Sequence, residues 1–244
     1  SFPTRRSSDL IYLLITAPLL LLLAGDIHLN PGPPVMLSDT AVCHINVRSL
    51  SSEKLRCLRA DIAPHHDIIT LSETFLSPGN LDMDLTLPGF HTIMRKDRKT
   101  GPGGGVGLFV SQQLLTSRRY DLEEDDLELL WSEIIINNNK LLIGVVYRPP
   151  DSPVSFWNNL QNNLDQARST GIQNIMLIGD LNADFSTPQG RKLELFCTTN
   201  FLVPHVHEPT RITNNTSSCL DQIISNMPAY VQEPQVLPPI ANCD

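Results

Sequence analysis

The sequence predicts an α+β fold: a two-layer β-sandwich flanked by helices. Three observations lead there. Short apolar runs rich in Val, Ile and Leu recur from residue 42 to residue 225, separated by Gly, Pro and Asn. Only a few segments carry helical spacing, and they are scattered among the strands. Acidic and amide residues stand at the ends of the apolar runs, where a rigid sheet carries the loops on which sites are built.

Taken in order, residues 42–47 are a β-rich run containing Asn46. Leu55, Leu58 and Ile62 have helical spacing, which predicts a helix over 53–60 that Pro64 stops. Residues 67–71 are a compact apolar strand that delivers Glu73. Residues 91–95 and 106–110 read as strands around a glycine-rich connection. Asn137, Asn138, Asn139 and Lys140 form a turn-prone run between strands 129–136 and 141–147, so a hairpin is expected. Phe156, Leu160, Leu164 and Ala167 share one face of a helix over 155–167. Residues 175–178 form a buried strand ending at Gly179 and Asp180, residues 191–199 another helix, and residues 220–225 a further strand. No internal repeat is present.

Composition supports one globular domain: 244 residues, 41% hydrophobic and 18% charged. The net charge of −8 argues against a high-affinity DNA-binding module, which would present basic patches, and is partly explained by acidic residues gathered around a cation. Cys43, Cys57, Cys197, Cys219 and Cys243 are odd in number and lack C-x-x-C spacing. That argues against a disulfide framework or a zinc site and suits a reducing compartment.

Residues 1–10 resemble a translated sequencing adapter and are set apart from the fold. Residues 11–35 read as a hydrophobic leader and linker. Their apolar run, 11–24, is interrupted by Pro18 and too short to span a bilayer, although Arg5 and Arg6 before it imitate a secretory signal. Asp26, Ile27, His28, Leu29, Asn30, Pro31, Gly32 and Pro33 follow a leucine-rich stretch and resemble a ribosome-skipping (2A-like) peptide, with His28 where that motif has glutamate. A plain Pro/Gly linker accounts for the same residues equally well. The globular domain is expected over 36–244.

Phosphodiester hydrolysis needs a hard cation, an activated water and donors around the phosphate. Carboxylate and amide oxygens suit Mg²⁺. Glu73, Asn46, Asp180, Asn182, Asp221 and Asp244 supply such oxygens. Gly179, Asp180, Leu181 and Asn182 after a buried strand are the most specific local signal, although an Asx-turn needs the same residue types. Arg95, Lys96, Arg98 and Lys99 precede the glycines at 103–105. That segment reads equally well as a DNA contact or as a flexible connection. No Gly-Lys-Ser/Thr follows, so it is not a P-loop.

Seven segments arrive in a fixed order: Ile45-Asn46-Val47-Arg48-Ser49, Ser72-Glu73-Thr74, Gly103-Gly104-Gly105-Val106-Gly107, Val146-Tyr147-Arg148-Pro149, Ile178-Gly179-Asp180-Leu181-Asn182, Cys219-Leu220-Asp221-Gln222-Ile223 and Ala241-Asn242-Cys243-Asp244. Together they resemble the endonuclease/exonuclease/phosphatase superfamily, whose fold is DNase I-like, and within it the endonuclease domain of LINE-type (non-LTR) retrotransposons. The resemblance implies that Glu73, Asn46 and Asp244 hold Mg²⁺, with Mn²⁺ as the alternative. It implies that Asp180 orients or deprotonates the attacking water, that Asn182 contacts the phosphate, and that the Tyr147 hydroxyl bonds a phosphate oxygen. Arg148 would add charge there, Asp221 would orient a catalytic histidine, and Thr210 and Ser218 would touch the DNA backbone. The family closes its site with Ser-Asp-His. Here Cys243 replaces the serine and the chain ends before the histidine. The chain as given is therefore expected to be nearly inactive, and one histidine added after Asp244 to raise nicking of plasmid; no gain would count against the assignment.

The function implied is nicking of double-stranded DNA to leave a 3′-hydroxyl, which a reverse transcriptase domain in the full polypeptide extends. The site of action would be nuclear, with no stable membrane partner. A phosphatase or abasic-site endonuclease of the same superfamily and an inactive transposon remnant stay open.

Overall fold

The computed structural model describes residues 10–15, 40–213, 215–232 and 234–237. Asp244, Cys243, the ribosome-skipping motif and residues 1–9 of the adapter-like segment lie outside them. Fourteen strands follow in chain order: β1 Leu10–Ile15, β2 Thr40–Asn46, β3 Ile68–Ser72, β4 Met94–Lys96, β5 Val106–Val110, β6 Leu115–Arg118, β7 Glu128–Ile136, β8 Asn139–Tyr147, β9 Asn174–Asp180, β10 Val203–Pro204, β11 Arg211–Ile212, β12 Ser217–Ser218, β13 Asp221–Ser225 and β14 Gln235–Leu237. The helices are α1 Ser52–Cys57, α2 Phe156–Ser169 and α3 Pro188–Thr199.

Two six-stranded sheets result, in the orders β14-β1-β2-β3-β5-β4 and β10-β13-β9-β8-β7-β6, with β11 and β12 as a separate small hairpin. β2 pairs with β3, and β8 with β9, in parallel; the other pairs are antiparallel. Parallel neighbours need a long crossover, and α1 and α2 supply those two.

Both faces of the central strands are buried, so they read as apolar runs in place of a clean alternation. Val42, Ile68, Leu108, Leu130, Ile143, Ile178 and Ile223 fill the space between the sheets. On the outer face of the second sheet, Trp131, Leu142 and Leu177 pack with Leu160 and Leu164 of α2 and with Leu193 and Phe196 of α3. On the outer face of the first, Cys43, Ile45, Ile69 and Phe109 pack with Leu55 and Leu58. The two-layer sandwich with helices outside is the architecture expected.

Local chemistry explains the boundaries. The β7–β8 hairpin turns at Asn137 and Asn138, both at positive φ (49° and 63°), as a two-residue type I′ turn requires. α3 begins earlier than expected because Thr187 caps it, its hydroxyl accepting from the Gly190 amide at 3.1 Å, with Pro188 in the first turn. α1 continues through a π turn, Leu58–Ile62, and a 3₁₀ turn, Ala63–His65. The strand expected over 91–95 is shortened and shifted to β4.

One expectation needs correction. The apolar leader is not wholly outside the fold, because the backbone of β1 pairs antiparallel with β2 (Leu10 opposite Ile45, Ile15 opposite Thr40) and with β14. An aliphatic run suits an edge strand as well as a leader, and the edge of β2 offers unpaired backbone groups. Among the described residues, no helix is long and apolar enough to cross a membrane.

Candidate functional site

Asn46 ends β2, Glu73 follows β3, Tyr147 ends β8, Asp180 ends β9 and Asp221 begins β13. Strand register brings these ends to one edge of the sandwich: Asn46 lies opposite Ser72, Tyr147 opposite Asp180, and Asp180 opposite Asp221. The first sheet contributes Asn46 and Glu73; the second contributes the other three.

The two groups meet across the seam. The Asn46 amide donates to Glu73 Oε1 at 3.0 Å and to Asp180 Oδ2 at 2.8 Å. The Tyr147 hydroxyl donates to the same Glu73 oxygen at 3.3 Å. Glu73 sits at φ 53°, a left-handed conformation that costs energy in any residue with a side chain. Its loop is held from both sides. Ser49 N donates to Glu73 O at 2.7 Å, and Thr74 N and Phe75 N donate to the carbonyls of Gly105 and Gly104. The glycine-rich segment therefore braces the Glu73 loop. Gly104 sits at φ 69°, which suits glycine, and a Cβ there would lie 2.3 Å from Arg98 Nε and 2.4 Å from Glu128 Oε2, so that ion pair would have to shift. Arg98 pairs with Glu128 at 2.7 Å and lies 5.7 Å from the centre of the Tyr147 ring.

Asp180 is held by the Asx-turn that its residue type allowed. Its Oδ1 accepts from Asn182 N at 2.9 Å. Gly179 is needed beneath it, because a Cβ there would lie 1.7 Å from the Val146 carbonyl oxygen. Asn182, at φ 44°, donates its side-chain amide to Arg148 O at 2.8 Å.

Burial, with the neighbouring Asp221 charge next, pushes the Asp180 carboxyl well above the usual range. Burial likewise lifts Asp221 to about 6, opposed by the Thr210 hydroxyl, which donates to Oδ2 at 2.7 Å. Burial, then the charges of Glu73 and Asp180, keeps the Tyr147 hydroxyl protonated far above neutral pH.

His44 lies between these carboxylates and the core, fully buried. Thr70 donates its own hydroxyl hydrogen to Cys43 O at 3.0 Å, so His44 Nδ1 donates to Thr70 at 2.9 Å and Nε2 carries the lone pair. Ser72 then donates to Nε2 at 3.3 Å. Nε2 stands 3.5 Å from Asp221 Oδ1, and burial lowers His44 to about 4. Two lone-pair atoms face each other unless Asp221 carries a proton, which agrees with its raised value.

Asp221→Asn puts an amide N–H where that proton would sit, and it is expected to stabilise the chain at pH 7.5. A carboxyl raised from near 4 to about 6 holds an extra proton in the folded chain between those values. Its contribution to stability falls through that window, and above it the full penalty of roughly 3 kcal/mol is present. His44 and His205, both lowered to about 4 mainly by burial, act with the opposite sign from their ordinary 6.5 downward. The readout is therefore the difference in thermal midpoint between variant and parent in metal-free buffer. It should be about three times as large at pH 7.5 as at pH 4.5; equal differences at both would refute the assignment.

Two sequence assignments change. Arg148 is 1% exposed, so its guanidinium does not face a phosphate. Its Nη1 donates to the carbonyls of Leu181 and Asn182, both at 3.3 Å, and its Cζ lies 5.6 Å from the Phe156 ring centre and 5.8 Å from that of Trp157. Thr210, buried, spends its hydroxyl on Asp221 and accepts from the amides of Leu220 and Asp221. Both support the site from behind. Ser218 is half-buried on β12, where its carbonyl accepts from Thr210 N at 3.0 Å.

Asn46, Glu73, Asp180, Asn182 and Asp221 line a cavity of about 120 Å³ together with Arg48, Pro150, Arg211 and Leu220. His44, Arg48 and Arg211 were not anticipated. His44 carries a weak signal, since it lies two residues before Asn46 and alternation puts both on one face of a strand. Among the described residues, no group of three His, Cys, Asp or Glu side chains is arranged to hold a metal ion.

A sandwich that gathers carboxylates, an amide and a tyrosine hydroxyl at one open edge belongs with phosphoester hydrolases in its chemistry. The chain is a member of the endonuclease/exonuclease/phosphatase family, whose profile matches residues 43–241. Solved structures with the same fold include the endonuclease domain of TRAS1, a telomere-specific non-LTR retrotransposon, at 14% identity and TM-score 0.59, covering 75% of this chain and 82% of that one. A mannosyl-6-phosphatase from Bacteroides thetaiotaomicron matches at 15% identity and TM-score 0.55, covering 75% and 84%. An AP endonuclease from Archaeoglobus fulgidus matches at 12% identity and TM-score 0.51, covering 77% and 86%. No curated protein matches the chain.

Proposed function

We propose that the chain is a divalent-metal-dependent endonuclease that nicks one strand of double-stranded DNA and leaves a 3′-hydroxyl. In this reading it is the endonuclease part of a non-LTR retrotransposon polypeptide, acting in the nucleus, where a reverse transcriptase domain extends the nicked end. The observation that carries it is the meeting of Asn46, Glu73, Tyr147 and Asp180 from two sheets within 2.8–3.3 Å. The order of the motifs and the likeness to the TRAS1 endonuclease domain support the retrotransposon assignment.

Glu73 offers a carboxylate, and Asn46 would offer its amide oxygen if the amide turned, since its N–H₂ now faces the carboxylates and its oxygen accepts from Arg48 N; a carboxylate and an amide oxygen suit Mg²⁺ or Mn²⁺, and Mg²⁺ takes few protein ligands. When bound, such a cation polarises a phosphoryl oxygen and offsets developing charge. Asp180, buried and raised in proton affinity, is suited to orient a water and accept its proton. Tyr147, kept protonated, can turn its O–H from Glu73 to a phosphate oxygen, where a donor stabilises the transition state. Asn182 stands beside Asp180 with its carboxamide oxygen uncommitted among the described residues, its amide already used on Arg148 O.

The test is Mg²⁺-dependent nicking of supercoiled plasmid by the chain extended with one histidine, beside Glu73→Ala. Nicking by the first alone supports the reading. Turnover of an inositol phosphate without nicking would move the assignment to a phosphatase, and neither activity in a folded chain to a transposon remnant.

A further inference from the structure

Eleven arginines lie among the described residues, and eight of them are engaged. Arg56, Arg59, Arg95, Arg98, Arg118, Arg119, Arg148 and Arg168 each direct their guanidinium to a carboxylate, amide or carbonyl oxygen. Three have no such partner among the described residues: Arg48, Arg191 and Arg211. Two of those three, Arg48 and Arg211, line the carboxylate cavity. They come from separate elements, the loop after β2 of the first sheet and the separate β11–β12 hairpin, and both are exposed. Arg48 is in the loop after β2, two residues past Asn46. Arg211 opens the β11–β12 hairpin, next to the residue that clamps Asp221.

Both stand on fixed backbone. Lys54 Nζ donates to the carbonyls of Val47 and Arg48 at 2.7 and 3.2 Å, and Arg48 N donates to Asn46 Oδ1 at 3.2 Å, so the Arg48 loop is tied to the side chain at the heart of the site. Arg211 is paired in register with Ser218, and its positive charge bears on Asp221. A cavity holding Glu73, Asp180 and Asp221 in a chain of net charge −8 repels a polyanion. Two exposed guanidinium groups without a carboxylate partner at its lining are the feature that would let one in, and guanidinium matches phosphate by its fork of donors.

We propose that Arg48 and Arg211 form a clamp on the DNA backbone, each gripping a phosphate that flanks the one lying over the carboxylates. This rests on the nuclease reading and replaces Arg148 and Thr210 as its phosphate contacts. The clamp positions duplex DNA without reading its sequence, as phosphate contacts do. Because Arg48 is tied to Asn46 and Arg211 adjoins Thr210, engagement of either phosphate sets the DNA in register with Asp180 and Asp221.

The experiment is binding of a fluorescent 30-base-pair duplex by the 244-residue chain, followed by anisotropy over a salt series in Mg²⁺. Each phosphate contact contributes about 0.9 to the slope of log affinity against log salt. Arg48→Ala and Arg211→Ala are each expected to lower the slope by about one, and the double variant by about two, with equal effect on duplexes of unrelated sequence. Arg48→Lys and Arg211→Lys should keep the slope. Arg191→Ala, which removes the same charge outside the cavity, is the control and should leave it unchanged. A double variant with the parental slope overturns the clamp, and so does an equal drop in Arg191→Ala, which would mean diffuse charge only. Absence of salt-dependent binding by the parent also overturns it. Plasmid nicking by the chain extended with one histidine separates the two readings: a clamp that fails while that chain nicks leaves the nuclease intact, whereas absence of nicking by it removes both.

Discussion

In the chain extended with one histidine, Glu73→Ala is expected to lower Mg²⁺-dependent nicking by about 10³-fold or more and to leave the chain folded. Glu73 Oε1 is the oxygen on which the two sheets converge, accepting from Asn46 and from Tyr147. Removing it takes away the strongest oxygen donor available to a cation among these groups. Metal stabilisation of a phosphoryl transition state is worth several kcal/mol, and each 1.36 kcal/mol is a tenfold change in rate. Stability moves little or upward, because the Glu73 charge raises both Asp180 and Asp221 and its loss relieves them. The strained φ of 53° is unchanged in kind by alanine, which also has a Cβ. The checks are plasmid nicking against Mg²⁺ concentration and a thermal melt of the same preparation. A variant that nicks within tenfold of the parent at saturating Mg²⁺ would remove Glu73 from the centre of the site.

The strand-end positions of this site were legible in the sequence because the strands that carry it are buried on both faces. A short apolar run bounded by turn residues, such as 67–71 or 175–178, reads as a buried strand by its length, and the polar residue after it emerges at the sheet's edge. The β7–β8 hairpin was legible through Asn137 and Asn138, whose tolerance of positive φ is a local property. Strands β1, β6, β10, β11, β12 and β14 were not. β6 alternates exposed and half-buried residues, so its sequence, Leu115 to Arg118, has no apolar face to announce it. Pairing makes it a strand, and pairing is not local. The same limit governs the site. Residue type suggests a role, but direction decides it, and Arg148 and Thr210 have phosphate-binding chemistry while pointing into the protein. No spacing rule brings Asn46 within 2.8 Å of Asp180, 134 residues away; only the resemblance of the motifs proposed that meeting before the geometry did.

Arg148→Ala is expected to cost on the order of 1–3 kcal/mol of stability, the range seen when buried polar groups lose their hydrogen-bond partner. Arg148 is buried with no carboxylate bonded to it among the described residues, and burial lowers its proton affinity while the Asp180 charge raises it. What holds it is the turn it supports. Its amide donates to Asp180 O at 2.8 Å, its carbonyl accepts from the Asn182 side chain, and its guanidinium closes on the Leu181 and Asn182 carbonyls. Phe156 and Trp157 of α2 carry the other side of the group, a contact in which arginine and lysine differ. Alanine would leave two carbonyls without their donor and a void against the aromatic pair. Lysine would keep the charge but lose the fork and the planar face, so it should rescue less than half of the loss. Methionine would fill the volume without a buried charge and should be the mildest of the three. Because the turn carries Asp180 and Asn182, Arg148→Met is also expected to lower kcat by about 10²-fold, the penalty of a displacement near 1 Å at a reacting group. A phosphate-binding arginine would behave differently, since its removal would lower the salt slope of DNA binding. Denaturant midpoints of the three variants, with kcat and the salt slope of Arg148→Met, decide between the roles: a lowered slope with unchanged stability would return Arg148 to the DNA.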